Sequence, residues 1–261
     1  MTFTRNENGD VNSRVISNEI VYWAMEESEK AEEDRKLGVL LCEGDENSID
    51  CAVYRLVFPN LLVIPVGGCS NVMRIVPNLR IKLAPFNMYA FGIIDRDALS
   101  KKEIKRLLKT HGINTTKLPF IENIICAPET LKIICKYKDI DYDYLLHQVQ
   151  TELMKILWQK FKETLPINLG IEKNERLKVL MIGASTKRQD ILKEVSENNI
   201  LYSYRDKIIT VIIGSHIGIK NKKEYYNMVI EMIKDDHYRD DLLAVFAKFI
   251  PKLEPYDIDS Y

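Results

Sequence analysis

Hydrophobic positions change period along this chain, and the changes mark its elements. Ile20, Val21, Trp23 and Ala24 precede a charge-rich stretch, which predicts an amphipathic helix from Asn18 to Leu37 with Ser17 as its N-cap. The pattern then becomes short and continuous. Gly38–Cys42 (GVLLC), Leu61–Pro65 (LLVIP) and Met88–Ile94 (MYAFGII) are apolar runs of strand length, as expected of strands buried on both faces of a parallel sheet. Helix-length segments separate them, at Ser48 to Phe58 and Asn71 to Leu83, and another follows at Lys101 to Thr110. Strand alternating with helix predicts an α/β fold, a mostly parallel sheet flanked by helices.

Beyond residue 140 the period lengthens. Tyr142 to Thr164 carries Leu145, Val149, Leu153, Ile156 and Leu157 at helical spacing, and helices are also expected at Tyr225 to Lys234 and Arg239 to Ile250. Lys207 to Gly214 reads as a strand. The expected division is a catalytic domain over residues 1–140 with its N-terminal helix, and a mainly helical subdomain over 141–261.

Composition narrows the class. The 261 residues are 46% hydrophobic and 29% charged, which excludes a disordered tail or a fibre. The net charge of -1 excludes a globally basic nucleic-acid binder, yet it hides an asymmetry. Residues 1–50 hold 5 basic and 13 acidic side chains, whereas 51–110 hold 10 basic and 3 acidic. Five cysteines without a CxxC spacing read as reduced, mostly buried thiols. With no signal-peptide pattern and no apolar run of membrane length, the expected location is the cytoplasm, away from membranes.

Acids interrupt the apolar runs at informative places. Glu43 follows the first strand, and Asp95 and Asp97 follow the third. In parallel α/β sheets ligands bind beyond the carboxyl ends of the strands, so both groups are expected at the functional edge. While the backbone stays extended, Asp95 and Asp97 share one face with Cα atoms about 6.6 Å apart. Hard carboxylate oxygens favour Mg2+ or Mn2+ over zinc. The histidines, His111, His147, His216 and His237, show no ligand spacing. An acid after a strand also serves as an ordinary helix cap, which is the competing reading for Glu43 or Asp95 taken singly.

The combination is more specific. LLCEGDENSID, the glycine turn Pro65-Val-Gly-Gly68, FGIIDRD and LPFIENIICAPE, in that order, resemble the Toprim superfamily. The IEN segment is similar to a Toprim branch that accompanies ABC-type ATPases in bacterial anti-phage defence, including PARIS effectors and, more distantly, OLD-type nucleases. The resemblance covers roughly residues 38–135. It departs at Asn47, where the branch usually has an acid. With three residues inserted after Gly44, Asp50 takes that place, and Asp45 is a rival.

The resemblance implies a metal-dependent nuclease effector held by an ABC-type ATPase sensor and active as a homodimer, with RNA, including tRNA, favoured over DNA. Asp95, Asp97, Asp50 and Glu43 would bind metal, Glu43 doubling as general base or acid, and Glu122 would complete the acidic cluster. Lys101, Lys102, Lys105, Arg106 and Lys109 form a cationic helix suited to phosphates, with Ile104, Leu107 and Leu108 as its expected buried stripe. A solvated lysine-rich face is the plainer reading of the same residues. The acidic stretch Glu26 to Asp34 is a candidate docking surface for the ATPase. Two alternatives stand beside this: a stand-alone Toprim nuclease that matures RNA, and a catalytically silent Toprim module used for binding. No GxxxxGK[ST] loop or GxSxG elbow is present, so neither ATPase nor serine-hydrolase chemistry is expected of this chain.

Overall fold

The computed structural model describes residues 13–30, 36–97, 99–118, 120–149, 151–152 and 217–254. Contacts divide the chain into two units, Met1–Lys117 with Ile250–Tyr261, and Leu118–Phe249.

The first unit opens with α1 (Ser13–Ser28) and continues through β1 (Gly38–Cys42), α2 (Ile49–Val57), β2 (Leu61–Pro65) and α3 (Cys69–Leu83). After a 3-10 turn at Ala84–Phe86 come β3 (Tyr89–Ile94), α4 (Lys101–His111) and β4 (Ile113–Thr115). All strand pairs are parallel, in the order β2-β1-β3-β4. The three strands expected from apolar runs form as such, and every residue of β1 is buried. Val39 and Leu41 join a core built with Ile20 and Ala24 of α1, Val72, Ile75, Val76 and Leu79 of α3, and Leu107 of α4. By the period of two, Leu40 and Cys42 face the other side. There α2 supplies Ile49, Cys51, Val53 and Tyr54. The result is a parallel four-stranded sheet with helices on both faces.

Both ends of α1 and the buried stripe of α4 differ from the sequence reading: α1 ends at Ser28 rather than Leu37. The first helix starts at Ser13, so Ser17 lies inside it and is buried rather than capping it. Val15 and Ile16 carry the helical apolar spacing further back than the cluster at Ile20 suggested. On α4, Leu107 is buried but Leu108 is 50% exposed, so the buried stripe is narrower than expected. This helix borders the core through one turn only.

The N-terminus of α4 is closed by a full capping box: Ser100 accepts from the Glu103 N–H, and the Glu103 side chain accepts from the Ser100 N–H at 2.8 Å. Hydrogen bonds from Ser100 hold the Glu103 carboxyl below the usual range. A depressed acid stabilises the fold above its unfolded pKa and loses that contribution as pH falls through the folded value. Ser100→Ala removes this cap and is expected to lower the melting temperature at neutral pH. The difference should shrink below the ordinary carboxylate range, as read by thermal melting across pH.

In the second unit all described elements are helices: α5 (Ile121–Ile125), α6 (Pro128–Lys138), α7 over 142–149, α8 (Lys222–Lys234) and α9 (Asp236–Phe249). Tyr225 of α8 is fully buried and donates its hydroxyl to the Ile125 carbonyl at 3.0 Å, joining α8 to α5. The expected strand over 207–214 and the continuation of α7 past residue 152 lie outside the described residues. No described helix is long and apolar enough to cross a membrane.

Candidate active site

Strand order places a crevice before any side chain is considered. The chain leaves β1 for β2 on one side and returns to β3 on the other, while α2 and α3 cover opposite faces. The order reverses between β1 and β3, and at such a point the loops beyond the carboxyl ends splay apart and leave room for a ligand. Glu43 follows β1 at once, and Asp95 follows β3 at once.

They meet there: Glu43 Oε1 accepts the Asp95 backbone N–H at 3.1 Å. This bond spans the switch point and fixes one carboxylate oxygen. Residues 52 positions apart in sequence thus share one edge, as the spacing of acids predicted.

The loop after β1 is shaped for this. Gly44 and Gly67 exchange two backbone hydrogen bonds, at 2.7 and 3.0 Å, clamping the ends of β1 and β2 together. Gly44 has φ +88, a region side chains rarely adopt, and a Cβ there would lie 2.5 Å from Ser48 Oγ, the N-cap of α2. Gly44→Ala is accordingly expected to cost about 2–3 kcal/mol, combining left-handed backbone strain with a disturbed cap, as measured by denaturant unfolding.

Asp50 occupies the first turn of α2, half-buried. Tyr54 lies one turn later and is 1% exposed; burial, then the charges of Asp50, Asp95, Cys42 and Glu43, push its phenol well up. Burial, then the charges of Glu43 and Asp97, likewise raise the Cys69 thiol. Glu43 is the acid that acts on both; Asp50 and Asp95 act on Tyr54, and Asp97 on Cys69. Asp45, the rival to Asp50, is exposed and accepts the Asn47 N–H at 2.9 Å in a local turn.

Asp97 departs from the expected geometry. β3 ends at Ile94, and Asp97 sits in a turn with φ +46. Strand alternation therefore does not place it beside Asp95, and the shared-face argument fails at this residue. Aspartate tolerates left-handed backbone better than most side chains. Between the two, Arg96 is drawn away, its N–H to Thr116 Oγ1 at 3.2 Å and its guanidinium to the Lys117 carbonyl at 3.0 Å.

The donor chemistry at this edge, carboxylate oxygens alone, suits a hard dication such as Mg2+ or Mn2+. Among the described residues no group of three or more His, Cys, Asp or Glu side chains is drawn together closely enough to hold a metal ion.

Glu122 belongs to the second unit. It begins α5, is 5% exposed, and its Oε1 accepts from Lys222 Nζ and from the Tyr226 hydroxyl, both at 3.1 Å. A buried carboxylate with these donors is a built feature rather than a solvated surface acid. On α4, Lys101, Lys102, Lys105, Arg106 and Lys109 are all exposed, giving a cationic helix surface on the unit that carries the acids. Glu26 on α1 and Glu29 just after it are exposed, but Glu27 is buried and bonded to Lys30 and the Lys36 N–H, so it drops out of the candidate docking surface. Residues 31–34 of that stretch lie outside the described residues.

No protein-family model matches this chain, and comparison with curated proteins and with solved structures found no match.

Proposed function

We propose that the carboxyl edge of this sheet is a Toprim-type phosphodiesterase site, and that the protein is a metal-dependent nuclease effector of anti-phage defence acting on RNA in preference to DNA. The observation that carries the reading is the Asp95 N–H to Glu43 hydrogen bond across the β1/β3 switch point. It brings the two acid motifs to one place where parallel sheets bind ligands.

Asp95, Asp97 and Asp50, with Glu43, are the residues that the Toprim resemblance assigns to Mg2+ or Mn2+, and an ion bound by three of them would have to draw them closer together. A bound dication supplies an activated water and neutralises charge on the phosphoryl oxygens. Glu43 is the assigned general base or acid, with its Oε1 held by the Asp95 N–H. Glu122, which the IEN resemblance assigns to the acidic cluster, lies in the second unit with its Oε1 held by Lys222 and Tyr226, so no role at this edge is proposed for it. The exposed cations of α4 would take the flanking phosphates of a nucleic acid.

The resemblance also supplies the partners: an ABC-type ATPase that restrains the effector, and a second copy of this chain in the active form. Incubating purified protein with total cellular RNA and with plasmid DNA, each with Mg2+, with Mn2+ and with EDTA, tests the substrate class. Cleavage of RNA that EDTA abolishes is expected. Intact RNA and DNA under every condition would overturn the nuclease reading.

A further inference from the structure

Asn71 is a polar side chain buried to 6% exposure near the start of α3, and both ends of its amide are used. Its Nδ2 donates to the Val66 carbonyl at 2.8 Å, and its Oδ1 accepts from Arg74 Nη2 at 2.7 Å. Val66 is itself anchored, its N–H bonded at 2.9 Å to the carbonyl of Cys42, the residue before Glu43. A continuous chain of hydrogen bonds therefore runs from the backbone beside Glu43, through Val66 and Asn71, to the guanidinium of Arg74. Gly67, which follows Val66 and precedes the α3 N-cap Gly68, exchanges two backbone hydrogen bonds with Gly44, the residue after Glu43, so this end of α3 borders the acidic edge.

An exposed arginine on a helix ordinarily samples many rotamers, and fixing it costs side-chain entropy. Here a buried amide holds the fork in place. A guanidinium carries N–H donors in a planar array matched to phosphate oxygens, and the bond from Nη2 to Asn71 fixes its plane. The acidic edge has a need for such a group, because a polyanion approaching several carboxylates is repelled unless cations fixed nearby offset them.

We propose that Arg74 is a phosphate-binding residue of this site and that Asn71 is the positioning residue that aims it. The inference takes from the nuclease reading the identity of the ligand, a nucleic-acid phosphate; the hydrogen-bonded chain stands independently.

The test uses the full chain carrying Glu43→Gln, which blocks turnover, and a fluorescein-labelled single-stranded RNA and its DNA counterpart, with anisotropy followed across salt concentration. Arg74→Gln is expected to weaken binding about tenfold and to reduce the slope of log affinity against log salt by about 0.7, the value for one lost contact to a single strand. Arg74→Lys should restore the slope but not the full affinity, since a point charge lacks the fork. Asn71→Ala should weaken binding in the parent but add no further loss to Arg74→Gln, because Asn71 acts only through the guanidinium; an equal loss in both backgrounds would overturn its positioning role. A residue that merely supports α3 would not move the slope. Arg74→Gln binding with unchanged affinity and slope would overturn the proposal, as would a parent protein that binds neither oligonucleotide.

Cleavage by the wild type, measured in parallel with Mg2+, separates the two readings. A slope change without cleavage leaves the clamp standing and removes the hydrolase; cleavage with an unchanged slope does the reverse.

Discussion

Glu43→Gln is expected to lower phosphodiester cleavage by about 10²–10⁴-fold while leaving the melting temperature nearly unchanged. The separation follows from what each atom does. Glu43 Oε1 accepts the Asp95 N–H, and the carbonyl oxygen of glutamine accepts it equally well, so the β1/β3 edge keeps its bond. What glutamine lacks is the charge and the ability to exchange a proton. Glu43→Ala should lose both properties: the Asp95 N–H is left without its acceptor, at a cost of about 1 kcal/mol for a half-buried group, and cleavage falls as far. Rates from a labelled oligonucleotide, set beside thermal melts of the three proteins, check the pattern. If Glu43→Gln cleaves like the wild type, Glu43 is a structural acceptor only and the assigned base is wrong.

The largest expected effect on stability lies one layer inside that edge. Gly92 in β3 is where α3 and β4 press closest to the sheet: a Cβ there would meet Val72 Cγ1 and Val76 Cγ2 at 2.9 Å and Ile113 Cγ1 at 3.1 Å. All three are branched side chains in the fully buried core, so relief requires α3 or β4 to move. Gly92→Val should cost about 3 kcal/mol or more and lower the melting temperature of this unit by on the order of 10 °C. It should also reduce cleavage, because displacing β3 shifts Asp95 away from Glu43. Gly68→Ala is the control: a Cβ there finds nothing within 4 Å, and melting and activity should both stay close to wild type.

Much of this was legible in the chain itself, and the reasons are specific. β1, β2 and β3 are buried on both faces, so their apolar runs are unbroken and each ends where its acid or glycine turn begins. β4 gave no such signal, because Ile113–Thr115 is three residues long and two of them are polar. α6 carried the usual marks, Pro128 in its first turn and Lys136 and Lys138 in its last, within a segment read chiefly for its motif. The proximity of Glu43 to Asp95 was readable because strand ends converge in a parallel sheet. Asp97 was not, since the positive φ of its turn reflects how the chain leaves β3 toward α4, and no residue type announces it. Asn71 and Arg74 were missed because a buried asparagine bonded to a backbone carbonyl has no spacing rule; only the fold brings Val66 beside it. Asp50, reached through the insertion after Gly44, sits in the first turn of α2, whereas its rival Asp45 sits in the loop before it.

Whether these carboxylates bind a hard dication is read by a Mn2+ binding isotherm by calorimetry on the wild type and on Asp95→Asn. Saturable Mn2+ binding to the wild type is expected, weakened at least about tenfold in Asp95→Asn, with the two proteins melting at similar temperatures. Equal Mn2+ affinity in both, or no Mn2+ binding by the folded wild type, would contradict a dication site at this edge.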